Sequence, residues 1–477
     1  MSAILEPVSP SNVHVSHMPR ACPAPGKKAT IKIAYIGGGS REWAVKLMAD
    51  LALSPHLEGS LELFDIDHAA AHENVALGQE VFSHPSARAR FHVRATQNLE
   101  DALREADFVV ISIEPGPVAL RRADVEIPAR YGILQTVGDT TGPGGLCRAL
   151  RSVPLFQGFA RKIWEVCPSA WVINYTNPMA LCTAALLAEA PKLKVFGCCH
   201  EVFGTQTMLA RLLSEHWKIP PPPRQEIRLE ISGVNHFTWA LAANWKGEDL
   251  FPLLHQHVTK EGFFRDRTED ARQAVSRQHW FDHHGLIAYD LFRRFGVLGA
   301  AGDRHLAEFL PWYLSSEQVL HRWGVVVTPI RWRMERLDLS RQAPAKNSEL
   351  KPSGEEGVAQ IEALLGFGDL VTNINLPNRG QVPEADFAAL VETNALISEN
   401  AVRPICAPAH PPGSGELVRQ ALARQRLTLD AAVRRDGDLA LRALMLDPLV
   451  NLSLDQLEKM LAEMLAATID HLPGWER

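Results

Sequence analysis

In the first half of the chain the apolar positions fall into short runs, each ending in small or polar residues. Residues 31–36 (IKIAYI), 61–64 (LELF), 107–113 (DFVVISI), 171–173 (WVI) and 194–196 (KVF) have this form. Mostly apolar runs too short for a helix read as strands buried on both faces, as in a parallel sheet. Between them lie stretches with apolar residues at helical spacing, such as AVKLMADLAL after the first run and LEDALREA before the third. Alternating strand and helix predicts a doubly wound α/β arrangement. The pattern changes after about residue 202. Residues 228–232 (RLEIS) alternate like a half-buried strand, Trp and His are dense between Trp239 and Trp332, and residues 418–465 read as two or three amphipathic helices. Residues 343–354 read as an exposed loop, and no internal repeat is present. The expected division is a disordered lead over 1–29, a dinucleotide-binding domain over 30–200, and an α+β catalytic and oligomerisation domain over 201–477.

Composition narrows the function classes. A net charge of −6 argues against a nucleic-acid partner, which would call for a basic patch. No run of about 18 apolar residues is present to span a bilayer. The lead has neither a long apolar stretch nor an A-x-A cleavage site, so it does not read as a signal peptide. The 7 cysteines follow no regular framework, which fits a reducing compartment, and a cytoplasmic location is expected.

The first strand runs directly into Gly37, Gly38, Gly39 and Ser40, and a helix follows. Strand, glycine turn and helix N-terminus make an anion site, because free backbone N–H groups and the helix dipole point at a phosphate. The second strand ends in Asp65, an acid placed to accept ribose hydroxyls of NAD and to repel the extra phosphate of NADP; Asp67 is the nearby alternative. The third glycine of the usual fingerprint would fall at Glu42. A second glycine-rich loop, residues 138–145 (GDTTGPGG), either approaches the nicotinamide or sugar or serves only as the turn into the next helix. Asn177, before Pro178 at the end of another strand, can bind a substrate hydroxyl or cap the helix that follows.

Cys199 falls at the end of the 194–196 strand, and His236 lies just beyond the 228–232 strand. A thiol and an imidazole at two strand mouths can collect one cation and leave positions open, unlike a structural zinc site with its four protein ligands. His200 would face the substrate, and Cys198 reads as packing. Asp303, Arg304 and His305 place an acid, a permanent cation and an imidazole side by side, either as a helix start with surface charges or as a general base with a carboxylate-binding arginine.

Taken together, IGGGS, GDTTGPGG, NYTNPMA, GCCHEVFGTQ, GVNHFTW, AAGDRHLAEFLP, SGEEG, NINLPNRGQ and VETNA resemble glycoside hydrolase family 4, the NAD- and metal-dependent glycosidases that depart from the two-carboxylate rule. Within the family the wording is most similar to the bacterial α-galacturonidases. The resemblance implies an α/β fold: a Rossmann-like domain of the lactate/malate dehydrogenase type, followed by a C-terminal α+β substrate and oligomerisation domain. It implies NAD and a divalent metal, usually Mn²⁺, a small-molecule α-glycoside substrate, and a homodimer or homotetramer. In the family's chemistry NAD takes hydride from sugar C3, a base removes the acidified C2 proton, the leaving group departs from C1, water adds and the hydride returns. The cation stabilises negative charge that develops at the C3 oxygen. By position, Cys199 and His236 would bind the metal, Asn177, Arg304 and Glu114 the substrate, and Gly37, Gly38, Gly39, Ser40 and Asp65 the nucleotide. His200 would be the acid that protonates the leaving oxygen, a task suited to a group with a pKa of about 6.5. Asp303 would be the C2 base.

Members specific for phosphosugars carry an arginine where this chain has Glu114 and Asp or Asn where it has His200, which argues against a phosphorylated substrate. Glu201 beside the site requires an arginine such as Arg304 to screen a uronate. An α-glucosidase, α-galactosidase or α-glucuronidase of the same family is the alternative. A net 2-hydroxyacid-type dehydrogenase would need an Arg/His/Asp set and no metal, and a sensing module would bind the nucleotide without cleavage.

Overall fold

The computed structural model describes residues 28–40, 42–281, 284–339 and 350–475. Most of the lead expected over 1–29, and of the loop expected over 343–354, lies outside the described residues. The strands are β1 (Ala29–Ile36), β2 (Leu57–Phe64), β3 (Phe91–Thr96), β4 (Phe108–Ile111), β5 (Trp171–Asn174), β6 (Lys194–Gly197), β7 (Ile227–Val234), β8 (Phe237–Trp245), β9 (Glu248–Asp249), β10 (Leu298–Gly299), β11 (Leu370–Pro377), β12 (Leu390–Ser398) and β13 (Ala401–Pro404).

The larger sheet has 9 strands in the order β3-β2-β1-β4-β5-β6-β11-β12-β13. The strands from β3 to β6 pair in parallel and reverse direction of travel at β1, the point where doubly wound sheets open a crevice for ligands. Alternate residues of β1 serve the two faces. Ile31, Ile33 and Tyr35 pack with Ala44, Met48 and Leu51 of the helix Trp43–Leu53. Ala34 and Ile36 pack with Leu150, Val153 and Phe156 of the helix Gly142–Val166. Because both faces are covered, the strands read as apolar runs rather than alternating ones, and burying each large apolar side chain stabilises the fold by roughly 1.5–3 kcal/mol.

The sheet does not stop at the boundary expected at residue 200. β11 joins β6 in antiparallel fashion through Asn375 and Gly197, and β12 and β13 follow it. The smaller sheet is built on the β7–β8 hairpin, with β10 and β9 paired to β8, around the fully buried Trp239. A side-chain bond from Asn394 of β12 to the Ile231 N–H (2.8 Å) ties the two sheets together. The C-terminal region ends in helices Ser414–Arg434, Gly437–Met445 and Leu454–Thr468, as the periodicity predicts. No helix among the described residues is long and apolar enough to cross a membrane.

Candidate active site

At the end of β1 the backbone turns at Gly37 with φ +99°, where a Cβ would meet the Ser112 carbonyl oxygen at 1.9 Å. A Cβ on Gly38 would meet that of Leu63 at 2.6 Å, so the glycines let the turn lie flat against its neighbours. The Asp65 carboxylate accepts from Gly39 N (2.8 Å) and Asp67 N (2.9 Å). Asp67 itself caps the helix His68–Ser83, so the alternative acid has a structural task. Asn74, which the sequence reading did not single out, donates to the carbonyls of Gly38 (2.7 Å) and Ser40 (2.9 Å). It holds the turn from behind; only its place nearly two turns into the second helix could have marked it. Glu42, at the position of the missing glycine, pairs with Lys46 at 3.1 Å. The turn and Asp65 together fit a dinucleotide: a backbone no side chain can crowd, and an acid at the end of the next strand.

Four further segments meet at the same edge of the sheet. His236 sits in the β7–β8 turn at φ +66°, a backbone conformation rare for a residue with a side chain and common at functional sites. Its Nδ1 lies 2.8 Å from Thr140 Oγ1, and its ring lies 3.8 Å, centroid to centroid, from that of His305. Asp139, His236 and His305 bring one ligand atom each to within 4.8 Å of one another. Burial, then the neighbouring His305, pushes His236 down to about 3, and burial lowers His305 as well. Burial acts to raise Asp139, but His305, His236 and Arg121 hold it below the usual carboxylate range. A carboxylate and two neutral imidazoles are the donor forms that a divalent cation requires, so the set fits one.

The sequence reading found His236 but not Asp139 or His305 as its partners. Asp139 lay inside a loop read for its glycines, and only the fold brings that loop to His236. Cys199 is outside this group. Its thiol faces the Asn235 side chain and the Glu201 backbone, and burial raises it well above its ordinary value. The segment is braced from β11 and β12: Asn373 Nδ2 donates to the Cys199 carbonyl (3.0 Å) and to Glu392 (2.7 Å), and Asn235 donates to Glu392 (3.1 Å).

His200 precedes the helix Glu201–Trp217 and is the exposed member of the site, with Glu355 at 3.6 Å from Nδ1, Glu201 at 3.9 Å from Nε2 and the Trp43 ring 5.6 Å away. Glu201 accepts from Gly302 N (2.8 Å) and faces His305 at 3.5 Å. Asn177 does not cap the following helix. Its backbone carbonyl accepts from Arg148 Nε at 2.9 Å, while its buried Oδ1 has no partner among the described residues, as expected of an acceptor awaiting a hydroxyl.

Two expected assignments acquire different partners. Asp303 is completely buried and its Oδ1 accepts from Ala288 N (3.1 Å), a bond to the first turn of the helix Leu286–Phe295; the acid that joins the imidazoles is Asp139. Glu114, expected on the substrate, is engaged at both oxygens by Arg121 (3.1 and 2.7 Å) and by Arg148. Burial would raise its carboxyl, but Arg148 and Arg121 bring it down to about 2. Two guanidiniums reach it because they lie on successive helices that both begin at this edge.

Known proteins place this arrangement in a family. A model described as family 4 glycosyl hydrolase matches residues 32–215, and one for the family 4 glycosyl hydrolase C-terminal domain matches residues 231–450. The chain belongs to glycosyl hydrolase family 4. An alpha-galacturonidase from Thermoanaerobacterium saccharolyticum is 45% identical over 466 residues, 94% of this chain and 98% of the relative. The crystal structure of lplD from Bacillus subtilis is 42% identical, with a TM-score of 0.79 over 91% of this chain and 100% of that one. A 6-phospho-alpha-glucosidase from gut microorganisms, solved in complex with NAD and Mn²⁺, shares the fold at 22% identity, with a TM-score of 0.74 over 94% of this chain and 100% of that one.

Proposed function

We propose that this enzyme cleaves α-galacturonides with bound NAD and a divalent cation, by oxidation, elimination, addition and reduction. The observation that carries the reading is the nearness of two sites: the Gly37–Gly39 cradle follows β1, and Asp139, grouped with His236 and His305, feels the charges of Arg121 and Arg148, which hold Glu114 just beyond the neighbouring strand β4. The α-galacturonidase named among the relatives supports the sugar.

Gly37, Gly38, Gly39, Ser40 and Asp65 would hold NAD. His236, with Asp139 and His305, would hold the cation, and Cys199 would add a thiolate once a bound cation favours loss of its proton. The nucleotide supplies reversible oxidation at sugar C3, and the cation supplies a positive charge beside the C3 oxygen. The chain's own residues would do the rest, with Asp303 kept as the expected base that takes the C2 proton. Asn177 Oδ1 accepts from a sugar hydroxyl and fixes the ring. His200, at the exposed rim, gives a proton to the departing oxygen and takes one from the incoming water. Glu201, held by Gly302 and facing His305, orients that imidazole rather than touching the sugar. The fixed dipoles of this buried pocket then act where charge develops, with little reorganisation.

Hydrolysis of p-nitrophenyl α-D-galacturonide, set beside the neutral α-galactoside and α-glucoside, tests the reading. Each is run with Mn²⁺ and NAD⁺ and again with one of them withheld. Cleavage of the uronide that stops when either is withheld is the expected result. Activity confined to a neutral glycoside would discard the uronate, and accumulation of NADH without cleavage would replace the reading with a dehydrogenase.

A further inference from the structure

Beside the site lie two arginines, Arg304 and Arg333, that form no ion pair among the described residues. The Arg304 guanidinium is 8% exposed, donates from Nη2 to Thr328 Oγ1 (2.7 Å) and the Thr136 carbonyl (3.4 Å), and stacks on Phe281 at 4.6 Å. Its Nε has no partner among the described residues. Phe281 also meets the Trp332 ring edge-on at 5.6 Å, and Trp332 precedes Arg333 on the helix Ile330–Leu339. The residue after Arg333, Met334, accepts from Arg122 at 3.7 Å, which sets this helix against the one carrying Arg121. Arg333 is thus bracketed by the Arg304 corner and the Arg121 corner. Its Nε is buried and has no partner among the described residues. Burial first, and then the charges of Arg121 and Arg304, push it down to about 9, against the opposing pull of Asp139 and Glu114.

The nearby acids have other partners: Glu308, the acid whose charge acts most on Arg304, accepts from the N–H groups of Val137 (2.7 Å) and Gly138 (2.8 Å). Glu114 is shared by Arg121 and Arg148, and Asp139 belongs with the two imidazoles. A buried guanidinium without a counter-ion is costly to the folded state, and such groups persist where a ligand completes them. The missing group is an anion, and a planar guanidinium fork matches a carboxylate through paired hydrogen bonds.

We propose that Arg333, acting with Arg304, is the receptor for the carboxylate of the sugar being cleaved and sets the preference for a uronide over its neutral counterpart. This rests on the reading of the enzyme as a uronide-cleaving glycosidase. It also meets the objection raised by Glu201, because the Arg304 charge acts on that carboxylate and would screen it from a uronate.

The test compares the holoenzyme with R333Q, R333K and R304Q on p-nitrophenyl α-D-galacturonide, its methyl ester and α-D-galactoside 6-phosphate. Thermal unfolding and calorimetric binding of free galacturonate accompany the kinetics. R333Q is expected to lose roughly 100-fold in kcat/KM on the acid, chiefly through KM, and to lose much less on the ester. Galacturonate binding should weaken in parallel, and R333K should recover part of both. A wild-type preference for the acid that R333Q and R333K both retain overturns the role of Arg333 while leaving the proposed function intact. Should R333Q fail to fold, R333K and R304Q decide by the same acid-to-ester ratio. A wild type that prefers the 6-phosphate, or that ignores the carboxylate, overturns the uronide reading itself.

Discussion

At the residue scale the cation set is the sharpest question, because sequence and geometry nominate overlapping but different ligands. His236 is common to both. Cys199 comes from position in the sequence, whereas Asp139 and His305 come from the 4.8 Å grouping in space. Burial raises the thiol well above its ordinary value and it faces Asn235, so its contribution depends on how strongly a cation displaces its proton. Mn²⁺ binding to His305→Ala and to Cys199→Ser, measured by calorimetry, separates them. We expect His305→Ala to weaken binding by ~10–100-fold, the range typical of lost metal-site groups, with a smaller loss in Cys199→Ser. The reverse order would return the site to the cysteine–histidine pair.

At the element scale, the glycine turn, the strand ends and the terminal helices were legible because each depends on local pattern: apolar runs, glycines at a turn, periodicity. The partners of Glu114 were not. Arg121 and Arg148 lie far enough along the chain that only the packing of two helices against the strand end shows both guanidiniums on one carboxylate. The bond from Asp303 to Ala288 was hidden for a related reason. An acid at a helix start beside Arg and His looks the same whether it faces substrate or, as here, binds the N–H of Ala288. The Glu114 cluster predicts a pH dependence. Its carboxyl drops from 4.5 to about 2 on folding, so its stabilisation is present above the unfolded value and is lost as pH falls from 4.5 towards about 2. Urea unfolding as a function of pH should show Glu114→Gln with a flatter acid limb than the wild type. An unchanged slope would mean the ion-pair cluster does not hold the strand end in solution.

At the scale of the whole molecule, the parallel half of the sheet was readable from its apolar runs, but its extension was not. β11 and β12 carry polar side chains, Asn373 and Glu392, that are buried because they brace the Cys199 and His236 segments rather than face water. Such strands break the rule that buried runs are apolar, and they do so where the site needs support. One continuous sheet therefore carries the nucleotide cradle at β1 and the bracing strands at its other end. The central claim is that the glycosidic bond breaks by elimination after loss of the C2 proton. Hydrolysis of an α-galacturonide in D₂O, followed by NMR of the released sugar, tests it directly. Deuterium at C2 of the product is the expected result, whereas cleavage at full rate with the original proton retained at C2 would contradict elimination.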